Sequence, residues 1–410
     1  MLAVIDGGVT AAKGFKAAGC AAGIKKNGSA DMALIVSEAV CAAAGTFTSN
    51  VVKAAPVLYD RQIVTEEKTA KAVVINAGIA NACTGHDGFV ICEETAKAAA
   101  EILDGVSQKE VLVASTGVIG APIPLDKIVA GTKTLAGKAA PTLQAGHEAA
   151  CAIMTTDTKP KEAAVEMTFT DGSKAVIGGM CKGSGMIHPN MCTMLSFVTT
   201  DAAIDQALLQ EALRDDIKTT YNMVSVDGDT STNDTCLVLA NGLAGNPVIA
   251  EKGADYEIFK AALHAVNEAL AKKMAADGEG ATAMFEVRVV NADTEENARV
   301  LARSVVSSSL TKAAIYGHDA NWGRILCALG YSGVKFDPEV IDLSFESAAG
   351  SLKIVENGIT TGYSEEFATQ ILSESAITAV CDMKMGEACA TAWGCDLTHD
   401  YVTINGDYRS

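Results

Sequence analysis

The chain has 410 residues, 49% of them hydrophobic and 20% charged, and a formal net charge of −18. This composition can fill a large apolar core and argues against global disorder. A strongly acidic surface repels phosphate backbones, so we expect no nucleic-acid binding. The N-terminus lacks the features of a signal peptide, and no apolar window is long enough to span a membrane. We therefore expect a soluble, cytoplasmic protein without membrane contacts.

The first half of the chain alternates strand-like and helix-like segments. Residues 89–103 are rich in Ala and Glu and are followed by Gly105, which predicts a helix with a glycine stop. The glycine-rich stretch 178–185 is the best candidate for an internal boundary. Short apolar or β-branched runs predict three buried strands, at 33–37, 71–76 and 111–115.

The second half carries three helical patterns and one clear strand. One apolar face starts after Asp201, which we interpret as the N-cap of its helix. The second pattern runs from Tyr256 to Met274, and the third begins at Thr294. Residues 285–289 alternate with period two, which predicts a strand. Interleaved strands and helices of this kind indicate a mixed α/β or α+β fold.

Several common cofactor motifs are absent from the sequence. It contains no GxGxxG, no GxxxxGK[ST] and no HExxH, and its six histidines have no metal-like spacing. Its 12 cysteines include no CxxC pair, so we expect reduced thiols rather than disulfides or a metal site. We predict neither a metal nor a resident cofactor.

Two polar clusters in the first half are weak signals by themselves. Ser115-Thr116-Gly117 follows a predicted strand, and a turn there would expose backbone N–H groups and a hydroxyl, the parts of an oxyanion hole. Residues 154–159 (MTTDTK) form a dense hydroxyl cluster that contains Thr155. Either segment alone could be an ordinary polar turn or helix cap.

The stretch 182–195 (KGSGMIHPNMCTML) is a stronger indication of chemistry. Its glycines permit unusual backbone angles, Lys182 supplies a cation, and Thr193 supplies a hydroxyl just before an apolar run. A Thr hydroxyl is a poor nucleophile without an adjacent base. If Thr193 attacks the carbonyl of Cys192, an N→O acyl shift and hydrolysis of the ester free the α-amino group of Thr193. That amine, with a reference pKa of about 7.7–8.0, can act as the base.

Two further motifs lie beyond this stretch. Residues 227–234 (DGDTSTND) are polar and compact between apolar segments, and they lack the spacing and the final Glu of an EF-hand calcium loop. Asn233 to Thr235 matches a glycosylation sequon, which we discount because nothing else indicates secretion. The stretch 276–281 (ADGEGA) closes a helix. Glu279 within it could direct a carboxylate at a bound amine, or it could be an exposed residue beside a glycine C-cap.

These segments together resemble the ornithine acetyltransferase family, the bifunctional glutamate N-acetyltransferases of arginine biosynthesis. The resemblance extends in order over essentially the whole chain. Beyond the motifs already described, it rests on GFKAAG at 14–19, NAGIANACTG at 76–85, STGVIG at 115–120, YGHDANWGR at 316–324, WGCDLTHDY at 393–401 and INGDYRS at 404–410.

The resemblance implies a reaction and the residues that perform it. Acetyl passes from N²-acetylornithine to the Thr193 hydroxyl, ornithine leaves, and glutamate accepts the acetyl group to give N-acetylglutamate. Thr193 is then the nucleophile, with cleavage between Cys192 and Thr193, and Thr116 and Gly117 form the oxyanion hole. The residues that match substrate-binding positions are Thr155, Lys182, Thr193, Glu279, Asn405 and Ser410.

The resemblance also implies the architecture. It predicts a layered α/β/β/α sandwich in which an alpha chain, 1–192, and a beta chain, 193–410, assemble as two copies of each. Two residues depart from the family pattern. Cys192 stands where Ala is usual, and Ser410 stands where Thr is common. Cys is small enough for cleavage to proceed, and Ser keeps a hydroxyl beside the terminal carboxylate.

Three functional questions stay open on the sequence. An autoproteolytic N-terminal-nucleophile hydrolase or aminopeptidase would share Thr193 but pass the acyl group to water. A non-enzymatic binding protein of the same fold would not cleave itself. Within the preferred interpretation, no motif decides whether acetyl-CoA also serves as an acetyl donor, although a bifunctional enzyme is our preference.

Overall fold

The computed structural model describes residues 1–188 and 194–407. These residues form sixteen β-strands and eleven α-helices, and strands and helices interleave along most of the chain. The strands are β1 (Leu2–Ile5), β2 (Phe15–Cys20), β3 (Met32–Phe47), β4 (Thr69–Ile79), β5 (Val111–Val118), β6 (Lys161–Thr168), β7 (Lys174–Lys182), β8 (Leu195–Thr200), β9 (Val224–Ser225), β10 (Thr235–Ala240), β11 (Met284–Ala292), β12 (Asp342–Ser347), β13 (Gly350–Glu356), β14 (Ile359–Thr360), β15 (Ala376–Asp382) and β16 (Ala388–Cys395).

The helices are mostly short, with one long exception in the second half of the chain. They are α1 (Ala55–Gln62), α2 (Gly85–Ile102), α3 (Leu125–Lys138), α4 (Leu143–Ala152), α5 (Gln206–Asp216), α6 (Ala254–Ala276), α7 (Glu295–Val306), α8 (Ser309–Tyr316), α9 (Trp322–Gly330), α10 (Glu365–Leu372) and α11 (His399–Gly406).

The described residues divide into two compact units. The first unit comprises Met1–Gly183, 194–221 and Thr230–Leu270, and the second comprises Ser184–His188, Asn222–Asp229 and 271–407. The chain changes units between Gly183 and Ser184, inside the stretch 178–185 that the sequence marked as a boundary. Each unit contains residues from both sides of position 193, so the units differ from the expected alpha and beta chains.

The first unit is built on a nine-stranded sheet. Its order is β1-β6-β7-β8-β10-β3-β4-β5, and β2 pairs with β3 as well. The pairs β8–β10 and β4–β5 are parallel. Every residue of β8 and β10 is buried, as expected of strands covered on both faces. Helices α1 and α2 pack against β5, and α3 and α4 against β2.

The second unit is built on a seven-stranded sheet of order β14-β13-β12-β15-β11-β16-β9. Helix α7 packs against β11 and β16, because its buried residues Ala298, Leu301 and Val305 form one apolar face. Its N-cap is Thr294, whose hydroxyl accepts the N–H of Asn297 at 3.1 Å. This is the helix start that the sequence predicted.

The mixed α/β fold class is confirmed, and most of the predicted elements lie where the sequence put them. The predicted strands fall within β3, β4, β5 and β11, and the predicted helices match α2, α6 and α7. The N-cap assigned to Asp201 is wrong. Helix α5 begins five residues later and is capped by Asp205, whose carboxylate accepts the N–H of Ala207 at 2.9 Å.

Asp201 is used elsewhere in the first unit, which explains the error. Its carboxylate accepts the backbone N–H of Val176 at 2.7 Å and that of Lys13 at 2.9 Å. Burial raises the pKa of this carboxyl, and the two backbone hydrogen bonds oppose that effect. Asp201 therefore joins segments that are distant in sequence, a role that no local pattern can indicate.

Candidate active site

The predicted oxyanion residues lie at the end of β5, beside the end of β4. Gly117 stands opposite Gly78, and both have positive φ angles, +129° and +113°. A Cβ on Gly117 would lie 2.2 Å from the carbonyl carbon of Gly78, so no larger residue fits without moving the backbone. The strand pairing shifts register here, between Gly78 and Ile79.

The predicted turn at Ser115-Thr116-Gly117 is therefore wrong, because β5 continues to Val118. The backbone at this end of β5 is nevertheless irregular, and the cause is the pair Gly78 and Gly117 rather than a turn. Thr116 and Gly117 are only partly buried, although the preceding residues of β5 are fully buried. A distorted, partly accessible strand end can direct an N–H and a hydroxyl away from the regular ladder, as an oxyanion hole requires.

Thr155 and Lys182, both predicted to bind substrate, meet at Asp157 in the first unit. Lys182 ends β7 with its side chain buried, and its Nζ lies 3.8 Å from Oδ2 of Asp157. The backbone N–H of Thr155 donates to the same oxygen at 3.0 Å. The N–H of Gly183 donates to Oδ1 at 2.7 Å. Asp157 thus fixes the position of both predicted residues, and the sequence interpretation did not single it out.

The surroundings of Asp157 carry more positive than negative charge. Lys161, which is 1% exposed, places Nζ 2.7 Å from Oδ1 of Asp157. Burial raises the pKa of Asp157, but the ammonium groups of Lys182 and Lys161 outweigh it, so the pKa is lower than usual. Nearby, Lys25 donates to the carbonyl of Met154 at 2.7 Å, and burial lowers its pKa. Lys161 and Lys182 share the one carboxylate of Asp157, so the group as a whole keeps a net positive charge, which suits a substrate carboxylate.

Replacing Asp157 with Asn is expected to lower the free energy of unfolding by about 3–5 kcal/mol at neutral pH. The reason is that two buried ammonium groups lose their shared counter-charge. Urea unfolding of the variant and of the wild type measures the difference. Asp104→Asn, at an exposed position, is the control and should change stability little.

The same substitution has a defined pH dependence. The pKa of Asp157 is depressed in the folded state, so ionised Asp157 stabilises the fold above the pKa of an unfolded Asp, about 3.9. This stabilisation fades as the pH falls from about 4 towards the lower folded-state pKa. The difference between wild type and Asp157→Asn should therefore shrink in acid. A difference that is independent of pH would contradict the assignment.

Glu279 and Asn405, the predicted residues of the second unit, contact each other directly. The carboxylate of Glu279 accepts a hydrogen bond from Nδ2 of Asn405 at 2.7 Å. Glu279 is 7% exposed, whereas Asn405 lies on α11 at the surface. A Cβ on Gly185 would lie 2.2 Å from the Glu279 carboxyl group, so this glycine makes room for the carboxylate.

Asp227 organises this region and was not assigned a role from the sequence. Its two carboxylate oxygens accept the backbone N–H groups of Met186 at 2.6 Å and Ile187 at 2.9 Å. The hydroxyl of Tyr401 donates to Oδ2 of Asp227 at 3.3 Å. The carbonyl of Tyr401 in turn accepts from Nδ2 of Asn405 at 3.0 Å. Hydrogen bonds through Asp227 and Tyr401 thus connect residues 186–187 to the Glu279–Asn405 pair. Asp227 is the first residue of the DGDTSTND motif, and this polar motif is the feature of the sequence that could have indicated its role.

His188 is the histidine nearest to Thr193 in the sequence, and both its ring nitrogens are engaged. Nδ1 lies 3.0 Å from Oγ of Ser225, and Nε2 lies 3.0 Å from Nη2 of Arg303. Since a guanidinium can only donate, Nε2 accepts and Nδ1 carries the proton. Burial, followed by the charge of Arg303, lowers the pKa of His188 to about 4. This environment fits a structural role for His188.

Cys192, Thr193 and Ser410 lie outside the described residues. Within residues 1–188 and 194–407, no group of three or more His, Cys, Asp or Glu side chains could hold a metal ion. No helix in the described part of the chain is long and apolar enough to cross a membrane.

Comparison with known proteins identifies the family. The ArgJ family model matches residues 16–410. The chain belongs to the ArgJ family. Two similar curated proteins, both called arginine biosynthesis bifunctional protein ArgJ, come from Symbiobacterium thermophilum and Caldanaerobacter subterraneus subsp. tengcongensis. They are 53% and 48% identical to this chain, covering 99% of it in each case and 99% and 100% of their own lengths.

A solved ArgJ structure from Bacillus halodurans is 46% identical, with a TM-score of 0.50. The match covers 52% of this chain and 99% of the solved chain. Membership of the ArgJ family confirms the resemblance found in the sequence. It also confirms the expected acetyltransferase activity in arginine biosynthesis.

Proposed function

We propose that this ArgJ-family chain cleaves itself and then transfers acetyl from N²-acetylornithine to glutamate through an ester on Thr193. In the first step the Thr193 hydroxyl attacks the carbonyl of Cys192, and the peptide bond becomes an ester. Breaking the C–N bond in this N→O acyl shift frees the α-amino group of Thr193, and water then hydrolyses the ester, which leaves a carboxylate on Cys192 and restores the Thr193 hydroxyl. The products are an alpha chain, 1–192, and a beta chain, 193–410.

The length of a solved relative supports this division. The chain from Bacillus halodurans is matched over 99% of its length yet covers only 52% of this chain, whereas the curated relatives match over almost their full lengths. A solved chain of about half length is what cleavage near the middle would leave. Residues 193–410 make up about half of the 410 residues.

In the second step the released amino group accepts the proton of the Thr193 hydroxyl. The oxygen of Thr193 attacks the acetyl carbonyl of N²-acetylornithine, and the developing oxyanion is stabilised by the Thr116 hydroxyl and the Gly117 N–H. The C–N bond breaks, and ornithine leaves with the proton. The amino group of glutamate then attacks the ester, which gives N-acetylglutamate and regenerates Thr193.

The observation that carries this mechanism is the strand end at Gly117. Its contact with Gly78 and its positive φ leave room for no side chain at a position that the family resemblance assigns to the oxyanion hole. We assign the substrate carboxylate to Lys182 and to Thr155, because the group of charged side chains around Asp157 has a net positive charge. We assign the side-chain ammonium of ornithine to Glu279, with Asn405 and Ser410 beside it.

The charge of Glu279 predicts an asymmetric effect on the two substrates. Glu279→Gln should raise KM for N²-acetylornithine about tenfold to 100-fold, because a charge-assisted contact contributes about 1.5–3 kcal/mol. KM for glutamate should not rise, since its side-chain carboxylate gains nothing from a negative neighbour. Steady-state kinetics with each substrate varied in turn measure both constants. Glu366→Gln, at an exposed position on α10, is the control. Equal increases for both substrates would contradict the assignment.

Incubation of the purified protein with N²-acetylornithine, with and without glutamate, tests the proposed reaction. We expect ornithine release coupled to N-acetylglutamate formation. Release of acetate without N-acetylglutamate would instead support the N-terminal-nucleophile hydrolase alternative. Glutamate with acetyl-CoA as the sole donor tests the second activity, which we propose as well. Acetyl-CoA would then be a substrate, and the mechanism uses no cofactor.

We also propose that two alpha and two beta chains assemble, as the family resemblance implies, and that the enzyme works in the cytoplasm. The thiols support the second proposal. Within residues 1–188 and 194–407, none of the eleven cysteines forms a disulfide, which suits a reducing compartment.

A further inference from the structure

The second half of the DGDTSTND motif has no role in the mechanism above, yet it is buried. Thr232, Asn233 and Asp234 are each less than one-tenth exposed and lead directly into β10. Asn233 is 6% exposed, so its amide is not available for glycosylation. A buried carboxamide needs hydrogen-bond partners, and the identity of these partners indicates what it does.

The amide of Asn233 joins the ends of two parallel strands. Its Nδ2 donates to the carbonyl of Ala80, which follows β4, and to the carbonyl of Ser115 in β5 at 2.8 Å. Because both partners are carbonyl oxygens, only the NH2 group of the amide can face them. Its Oδ1 accepts from the hydroxyl of Thr232 at 2.6 Å. All the polar atoms of the side chain are therefore oriented.

The hydrogen bond to Ser115 constrains the neighbouring oxyanion segment. The carbonyl of Ser115 and the N–H of Thr116 belong to one planar peptide, in which they point in opposite directions. Holding the carbonyl therefore fixes the direction of the Thr116 N–H and the starting point for the Thr116 side chain. Ser115 is held a second time, because its hydroxyl donates to Oδ1 of Asn76 at 2.7 Å.

This restraint acts where the sheet itself is least regular. The register between β4 and β5 shifts at Gly78, so ladder hydrogen bonds alone do not define the strand ends. The same segment also contacts the strand that follows the proposed nucleophile. The N–H of Thr235, two residues after Asn233, donates to the carbonyl of Met194 at 2.9 Å. Strands β10 and β8 then pair in parallel from Thr235 and Leu195 onward.

We propose that Asn233 is a positioning residue for the oxyanion hole. It holds the Ser115–Thr116 peptide in register with the start of β8, and so sets the direction of the oxyanion donors. The proposal rests on the oxyanion role of Thr116 and Gly117 given above. Asn233 touches neither the substrate nor the reacting atoms.

Asn233→Asp tests the proposal, because it keeps the size and shape of the side chain and removes both donated hydrogen bonds. We expect kcat for acetyl transfer to fall about 100-fold, the scale of a displaced catalytic donor. KM for N²-acetylornithine should change less than about twofold, since the substrate-binding residues keep their partners. The rate of self-cleavage should fall as well, because the same oxyanion donors serve both reactions.

Asn246→Asp is the matched control. Asn246 is also 6% exposed, lies in the same unit, and donates through Nδ2 to two carbonyls, those of Ala203 at 3.2 Å and Pro247 at 2.7 Å. A purely structural role for Asn233 predicts that both variants lose stability to a similar degree and keep kcat. A fall in kcat that is confined to Asn233→Asp supports the proposal, and an unchanged kcat overturns it.

Two further variants complete the experiment. Thr232→Val removes the hydroxyl that orients Oδ1 of Asn233, and it should lower kcat about threefold to tenfold. It provides the test if Asn233→Asp does not fold, and an unchanged kcat would then overturn the proposal. Thr116→Val, measured in the same assay, separates the two hypotheses. If it leaves kcat unchanged, the oxyanion assignment itself fails. If it lowers kcat and Asn233→Asp does not, only the role of Asn233 fails.

Discussion

Thr193→Ala is expected to remain a single chain and to lose acetyl transfer by about 10⁴-fold or more. The substitution removes the hydroxyl that attacks the Cys192 carbonyl, so the amino group that would serve as the base is never released. A denaturing gel and steady-state kinetics of the purified variant measure both effects. One residue thus controls both self-cleavage and acetyl transfer.

Two neighbouring variants serve as controls for this result. Thr193→Ser keeps a hydroxyl and should still cleave and turn over. Cys192→Ala keeps the nucleophile and should cleave as the wild type does, because the thiol of Cys192 has no role in the mechanism. Full activity in an uncleaved Thr193→Ala chain would remove Thr193 from the mechanism.

Gly117→Ala is expected to lower kcat by about 10²–10³-fold, the loss that accompanies removal of an oxyanion-hole donor. The new Cβ would lie 2.2 Å from the carbonyl carbon of Gly78, and the φ of +129° is strained for any L-residue. The end of β5 must therefore shift, and the Gly117 N–H shifts with it. KM should change much less than kcat, because the residues around Asp157 are not displaced.

Gly137→Ala is the control for Gly117→Ala. Gly137 lies in α3, and an added Cβ would meet no atom within 4 Å. Alanine favours a helix over glycine by about 1 kcal/mol, so this variant should be slightly more stable and fully active. If both glycine variants keep kcat, the strand end at Gly117 has no catalytic role.

Local patterns predicted the secondary structure correctly where the burial of apolar side chains decides it. The apolar runs of β3, β4 and β5 and the periodic faces of α6 and α7 are set by burial, which the sequence records directly. Asp201 shows where this reasoning fails. Asp201 and Asp205 could each cap a following helix, and the choice depends on the distant N–H groups of Val176 and Lys13, which Asp201 accepts.

The candidate site shows the same limit. Family resemblance pointed to Thr116, Gly117 and Lys182, but the residues that hold them were missed. Asp157 was visible only as part of a hydroxyl cluster, and Asn233 only as part of a polar motif. Asn233 and Ser115 are 118 residues apart in the sequence, so their hydrogen bond follows from the sheet topology and not from spacing. Buried polar residues of this kind are recognised by their partners, which become known only with the fold.

The intact mass of the purified wild-type protein, before and after incubation with N²-acetylornithine alone, tests the central claim most directly. We expect two polypeptides, one ending at Cys192 and one beginning at Thr193. After incubation the second should gain the mass of one acetyl group, and glutamate should remove it. A single active chain of 410 residues, or an acetyl group on any residue other than Thr193, would contradict the proposed mechanism.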